Sequence, residues 1–263
     1  MKDLFYEALK DTRNKVFAEV QNPYNSRLHF HRAFEIAYVI NGRSEYEIED
    51  THVIAEENDI IFINRYYRHR GFAKNEHQKF VVAVPENLAH DITDILGNKS
   101  LPYLLSDKEF NKSLLSNFNS LVNTTDSTPQ LLTKGHVNVI FGSLFEHYEK
   151  VDTLPKGKNV SIISDILAFI DENYSKPLSL EVLATNFGYN KSYFSRLFNS
   201  QLGMSLNSYV NFVRLDHFEE KQKAESTVSI TDLAHEVGFS SLATYYRTRD
   251  CRKKQSAKVE VLT

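Results

Sequence analysis

The chain is poor in the residues that build special folds. It has one cysteine, Cys251, in 263 residues, which excludes an intramolecular disulfide framework and a cysteine-based zinc finger. Nine glycines and six prolines exclude collagen-like or low-complexity sequence. Apolar runs such as Ile36–Ile40 and Ile60–Ile63 are far shorter than the roughly 20 residues of a membrane helix. The opening Met-Lys-Asp-Leu-Phe-Tyr-Glu lacks the apolar centre of a signal peptide, so a soluble cytoplasmic protein without membrane contact is expected. No excess of one charge is present. The net charge of −3 excludes a uniformly cationic nucleic-acid coat, although a DNA reader needs only a local basic face.

What is present can bury a core. Apolar residues make up 41% of the chain and include 18 Phe and 14 Tyr, which excludes wholesale disorder, and the length favours two domains. From about Val16 to Val84 apolar and polar residues alternate, as in Tyr46-Glu47-Ile48-Glu49, the period of antiparallel strands. Asn41-Gly42, between Glu35–Ile40 and Ser44–Ile48, predicts a hairpin turn. Further strands are expected at His52–Ala55, Asp59–Ile63 and Phe80–Val84, enough for a small barrel or sandwich.

From Pro85 to Lys150 the period becomes helical. Leu114, Leu115, Phe118, Leu121 and Val122 form one stripe; Val137, Ile140, Phe141, Leu144, Phe145 and Tyr148 form another. Such stripes either cover the barrel or pair with a second subunit. The polar stretch 151–159, carrying Pro155 and Gly157, reads as a linker between a domain over 1–150 and a helical one over 160–263.

The C-terminal third contains a repeat offset by 50 residues: Ser179-Leu-Glu-Val-Leu-Ala-Thr-Asn-Phe-Gly-Tyr189 matches Ser229-Ile-Thr-Asp-Leu-Ala-His-Glu-Val-Gly-Phe239. Ser179 and Ser229 are suited to cap a helix, Leu-Ala to face a partner helix, and Gly188 and Gly238 to fill the tight turn. Each unit reads as a helix-turn-helix. After the first turn, Phe194, Leu197 and Phe198 fall inward, leaving Lys191, Ser192, Ser195, Arg196 and Asn199 on the outer face. Arg there can reach guanine O6 and N7, while Ser and Lys hold phosphates or bases.

With Tyr193-Phe-Ser-Arg-Leu-Phe198, Gly203-Met-Ser205, Tyr209 and Arg214 added, the stretch from about Ile163 to Arg247 resembles the DNA-binding domain of AraC-type (AraC/XylS) transcriptional regulators. The resemblance implies a long central helix, here Ser205–Lys223, joining two reading units. It implies base contacts from Ser192, Ser195 and Arg196 in one major-groove segment, and from Leu242, Ala243, Tyr246 and Arg247 in the next. After Arg247 the chain departs from the family. Arg249 takes the place of a core aromatic and no Gly-x-x-Pro follows, so the second unit is expected to end differently or fray. Arg252, Lys253, Lys254 and Lys258 could then hold phosphates nonspecifically. From Val160 onward 12 Lys and Arg balance 12 Asp and Glu, so affinity must come from a few placed contacts.

In the first half, His29-Phe-His31-Arg-Ala-Phe-Glu35 followed by Gly42 resembles the first signature of cupin barrels. With His69 these residues could ligate a metal, as two His and a carboxylate do in open sites. The second cupin signature is poor: Glu57-Asn58-Asp59 replaces Gly-Asp, and Arg65 stands where Pro is common. The stretch also resembles AraC-type sensor domains, which bind a small effector, usually without metal, through Glu35-Ile-Ala-Tyr-Val39, Asp59-Ile-Ile-Phe-Ile-Asn64 and His69. That resemblance implies effector contacts from His29, His31, Glu35 and His69, with Tyr38, Arg43 and Tyr46 as further candidates, and neither metal nor other cofactor. Ordinary strand or turn roles remain open for the same residues.

His136, His147, His217 and His235 are expected to be structural, and Cys251 incidental. No Ser-His-Asp set and no phosphate-cradling glycine loop is present, so an enzyme is not expected. The fold class expected is α+β in two domains: a cupin-like barrel with flanking helices, then an all-α domain with two helix-turn-helix units. The function expected is a DNA-binding transcription regulator and activator that answers to a small molecule, with a sugar as the class expected, acts as a homodimer on double-stranded DNA and, by resemblance, contacts RNA polymerase. The alternatives are a metal-dependent cupin enzyme with an accessory helical domain, and a degenerate regulator with impaired DNA binding.

Overall fold

The computed structural model describes residues 5–6, 15–85, 88–125, 127–153, 158–224 and 228–260. The chain divides into two compact units, Met1–Gly157 and Lys158–Thr263.

Among the described residues the first unit begins with eight strands: β1 (Phe5–Tyr6), β2 (Phe17–Gln21), β3 (His29–Phe30), β4 (Phe34–Ile48), β5 (Thr51–Glu56), β6 (Ile60–Ile63), β7 (His69–Phe72) and β8 (His77–Val84). Helix α1 (His90–Leu96), strands β9 (Lys99–Ser100) and β10 (Leu104–Leu105), helices α2 (Lys108–Ser113), α3 (Leu115–Val122) and α4 (Gln130–His147), and strand β11 (Val151–Asp152) follow.

Strand β4 organises the barrel. Its first half pairs with β6 and β8, its second half with β5 and β7. Asn41-Gly42 therefore lies within one continuous strand and not in the hairpin turn that the dipeptide suggests. A register shift between Val39 and Asn41 against β8 marks a bulge there. The extra residue reverses the alternation, so Ala37 and Val39 before it and Tyr46 and Ile48 after it all join the same inner core. Gly42 is required at this point: its φ is +73° and an added Cβ would sit 2.1 Å from the Glu76 carbonyl oxygen. The true hairpin turn is Glu49-Asp50, with φ of 46° and 66° between the paired residues Ile48 and Thr51.

The other face of β4, with Phe34, Ile36 and Tyr38, packs with Ile60, Phe62, Phe80 and Val82 against Phe118, Leu121, Val137, Ile140, Phe141 and Leu144. Both predicted helical stripes thus cover the sheet. The strand is buried on both faces, which is why Phe34–Val39 reads as a nearly continuous apolar run. Leu131, Leu132 and Val139 stay exposed on α4, and Gly135 and Gly142 meet nothing within 4 Å of an added Cβ.

The stretch expected to be linker is partly ordered. Val151–Asp152 pairs antiparallel with Lys99–Ser100, and Lys158 opens a helix. Residues 154–157 of that stretch lie outside those described.

The second unit is helical: α5 (Lys158–Asn173), α6 (Leu180–Asn186), α7 (Lys191–Leu202), α8 (Leu206–Ala224), α9 (Ile230–Glu236) and α10 (Leu242–Glu260). Ser179 Oγ accepts from Val182 N and Ser229 Oγ from Asp232 N, each at 3.1 Å, so the repeated serines do cap their helices. Leu183 and Ala184 in one repeat, and Leu233 and Ala234 in the other, are buried. The glycines differ. Gly188 has open space around it, whereas a Cβ on Gly238 would meet the Ser175 carbonyl at 2.7 Å.

The tail does not bury an unpaired Arg249. Its side chain is 37% exposed, and the guanidinium lies 4.8 Å from the Tyr246 ring centroid. Thr248 and Tyr245 are the buried residues of that turn, and the helix continues to Glu260. Arg252 also departs from expectation. Instead of offering itself to phosphate, it donates from Nη1 to Asp216 at 2.5 Å and from Nη2 to the Phe212 carbonyl at 3.0 Å. The side chains of Lys253, Lys254 and Lys258 lie outside those described.

Candidate effector pocket and DNA-reading faces

Four of the seven sensor residues singled out in the sequence meet inside the barrel. His29 and His69 are register partners on β3 and β7, their ring centroids 4.1 Å apart. His31 lies 4.9 Å from His69 by the same measure. Its Nε2 is 3.2 Å from one oxygen of Glu35, while His69 Nε2 is 3.9 Å from the other. All four side chains are buried. The HxH spacing across β3 and the residue after it, and the inward phase of Glu35 on β4, bring them together.

The orientation of the rings is fixed locally. Nδ1 of His29, His31 and His69 lies 2.7, 3.0 and 2.9 Å from the carbonyl oxygens of Arg27, Ala33 and Tyr67 respectively. A carbonyl only accepts, so each Nδ1 is placed to donate to its carbonyl.

Tyr46 extends this polar lining. It is 3% exposed, and burial, followed by the negative charge of Glu35, holds its hydroxyl pKa well above the ordinary value. Lys79, which sequence reasoning missed, stands beside it. This lysine is 2% exposed, with Nζ 4.6 Å from the Tyr46 ring centroid and 3.4 Å from Ser44 Oγ. His77 Nε2 is 3.5 Å from the same Nζ. Burial foremost, with the Lys79 charge adding to it, lowers the His77 pKa. The signal was available: His77, Lys79 and Val81 share the inward phase of β8, and a lysine there must be buried.

Two candidates fall elsewhere. Tyr38 faces the helices, its ring 5.2 Å from Phe118 and its hydroxyl donating to Asn58 Oδ1 at 2.6 Å. Burial first, then Glu57, pushes its pKa up to about 12. Arg43 is 49% exposed and lies near Glu45. A separate cavity of about 200 Å³ is lined by Tyr67, Leu101, Pro102, Tyr103, Val151 and neighbouring residues, beside the strand that leads out of the unit.

In the second unit the reading faces are open. Lys191, Ser192 and Arg196 are exposed on α7 and Ser195 is half-buried, while Phe194, Leu197 and Phe198 hold the helix from beneath. Asn190 caps it through Tyr193 N at 2.8 Å. On α10, Ala243, Tyr246 and Arg247 are exposed. Leu242 instead packs partly against the core around Leu233 and Phe239, which limits what it can offer to a base. Other histidines have structural partners: His147 stacks on Phe110 and His217 on Tyr174, each at 3.7 Å between ring centroids.

Comparison with known proteins bears directly on both units. Residues 16–136 match the AraC-like ligand binding domain and residues 183–253 a helix-turn-helix domain. MarA of Escherichia coli (strain K12), the multiple antibiotic resistance protein, is 37% identical over 86 residues, covering 33% of this chain and 67% of MarA. The chain belongs to the AraC-type family of transcriptional regulators. It is a DNA-binding regulator with a ligand-binding domain that responds to a small molecule. The HTH-type regulator YfiF of Bacillus subtilis (strain 168) is 28% identical over 248 residues, 87% of this chain and 76% of YfiF. YbfI of the same strain is 24% identical over 217 residues, 81% of this chain and 78% of YbfI. Both Bacillus subtilis relatives carry the name of HTH-type transcriptional regulators. Among the described residues no helix is long and apolar enough to cross a membrane.

Proposed function

We propose that this regulator binds its effector inside the barrel and reads DNA with two faces. The effector contacts are His29, His31, Glu35, Tyr46, Lys79 and His69; the DNA contacts are Lys191, Ser192, Ser195 and Arg196 on α7 and Ala243, Tyr246 and Arg247 on α10. One observation carries the sensor half: a connected set of buried polar and charged groups inside an otherwise apolar barrel, where a domain built only for stability would place hydrocarbon. Imidazoles, a carboxylate, an ammonium and a tyrosine are the donors and acceptors that a polyhydroxylated ligand requires, so a carbohydrate is the effector class proposed. Arg43 and Tyr38 are left out, the first because it is exposed outside the set and the second because it faces the helices.

The regulator acts as a homodimer. Supporting this, α4 keeps Leu131, Leu132 and Val139 exposed, with Gly135 and Gly142 allowing a second helix close approach. The site of action is the cytoplasm, where DNA and RNA polymerase are, and activation proceeds through contact with the polymerase. Effector binding shifts DNA affinity only as far as its own affinity differs between the two states. The pairing of β11 on β9 supports a route, since the chain leaving the sensor is hydrogen-bonded to it.

Titration calorimetry with a panel of monosaccharides and their acids tests the pocket. One sugar should bind wild type and lose at least tenfold in affinity with Lys79→Met, while Arg43→Ala is unaffected. Binding that ignores Lys79→Met would move the effector out of the barrel. Sedimentation of wild type against Leu131→Glu tests the dimer, which should dissociate in the variant.

A further inference from the structure

We propose that Arg214 is a positioning residue that sets the spacing and rotational phase of the two reading helices, α7 and α10. The inference rests on the two-faced DNA reading above and adds what holds the faces in register.

The turn Tyr174–Lys176 is where the two heads meet. It follows α5, whose Phe169 ring lies 5.7 Å from that of Phe187 at the end of α6, in the first head. Tyr174 itself packs on the core of the second head, with Leu233, Val237 and Phe239. The chain then runs on to Ser179, the cap of α6. Carbonyls just past a helix end lack helical donors, and Pro177 brings no N–H to the turn. Arg214 on α8 supplies the donors. Its Nε donates to the Tyr174 carbonyl at 2.8 Å and its Nη2 to the Lys176 carbonyl at 2.9 Å. Nη1 lies 3.4 Å from Asn211 Oδ1, one turn back on the same helix.

The second head closes on the same turn. A Cβ on Gly238 would stand 2.7 Å from the Ser175 carbonyl oxygen and 3.0 Å from Arg214 Nε, so the bend between α9 and α10 rests on both. Two residues along α8, Asp216 receives Arg252 of α10. One short stretch of the central helix thus grips both the segment entering the first head and the reading helix of the second. A guanidinium suits this task because its planar fork fixes two acceptors in direction as well as distance, whereas a lysine ammonium is a point charge on a flexible stem.

Two faces on one duplex must match its helical repeat. One added base pair moves the second block by about 3.4 Å and turns it by about 35°. A fixed pitch between α7 and α10 therefore becomes selectivity for the spacing of the two blocks.

The test reads the pitch first without DNA. Spin labels are placed on the native Cys251, exposed on α10, and on Asn199→Cys, at an exposed position of α7. Double electron–electron resonance on the full chain should give one narrow distance, which Arg214→Met broadens and Arg214→Lys restores in part. Binding is then measured with the unlabelled chain on the duplex that wild type selects, on versions with one base pair more or fewer between blocks, and on the block read by α7 alone. Wild type should lose about tenfold or more on either change of spacing, the scale of one mismatched base pair, and Arg214→Met less than about threefold. Affinity for the single block should stay the same in both. Circular dichroism confirms that each variant is folded, and where Arg214→Met is not, Arg214→Lys takes its place in every comparison. A distance that stays narrow in the folded variant overturns the proposal, as does undiminished spacing selectivity. Equal loss on the single block also overturns it, since that marks general destabilisation. Labels that behave as expected beside a wild type indifferent to spacing would remove the two-faced reading and leave Arg214 as the residue that fixes the pitch.

Discussion

Arg252 fastens α10 to the central helix through Asp216, both side chains 13% exposed and 2.5 Å apart. The same guanidinium bonds the Phe212 carbonyl and lies 5.3 Å from the Phe212 ring centroid. A polar clasp therefore closes the second reading head.

Arg252→Ala should destabilise the second unit by about 2 kcal/mol, the scale of charged hydrogen bonds lost from a largely buried partner. Hydrogen exchange should quicken around Leu233 and Tyr245 and stay unchanged around Phe194.

The two turn glycines should respond unequally. Gly188→Ala meets only the left-handed backbone penalty of about 1–2 kcal/mol. Gly238→Ala adds the clash with the Ser175 backbone, a further ~1–3 kcal/mol if the neighbours must shift. Denaturant melts of the two variants measure the difference; equal losses would show that the contact with Ser175 relaxes freely.

Gly42→Ala should damage the sensor unit more than either. The added methyl would enter the Glu76 carbonyl at 2.1 Å, and displacing the bulge would turn Tyr46 away from Glu35. Thermal unfolding should show the first unit destabilised, with effector binding lost in any protein that remains folded.

Much of this was legible because local patterns sufficed. The repeated Ser, Leu-Ala and Gly carry their own capping and turn physics, and His29, His31 and Glu35 lie within seven residues of chain. The bulge at Asn41-Gly42 was not legible as such. A dipeptide that tolerates positive φ serves a hairpin or a bulge equally, and only the partner strand, β8, decides which. Lys79 was missed because it follows the polar His77-Gln78, as a strand-end lysine in solvent would, and its partners, Ser44 and Tyr46, are remote in sequence. Tyr38 was misplaced because it was grouped with Glu35 by motif, whereas strand alternation from the inward Glu35 puts it on the opposite face, against the helices. Arg252 was misread because Asp216, 36 residues away, claims it.

Base readers and phosphate holders should separate under salt. Arg196→Ala should lose about 1–3 kcal/mol at one base position and relax specificity there. Lys191→Ala should weaken all sequences alike and reduce the slope of log affinity against log salt by about 1. Competition binding at several salt concentrations distinguishes the two patterns.

Selection of bound DNA from a random duplex pool, with wild type, Arg196→Ala and Arg247→Ala side by side, is the most direct test of two reading heads on one chain. Wild type should enrich two short blocks centred about 10 base pairs apart, one helical turn, with Arg196→Ala erasing preference in one block and Arg247→Ala in the other. A wild-type pool without a motif, or a motif that both variants keep intact, would contradict it.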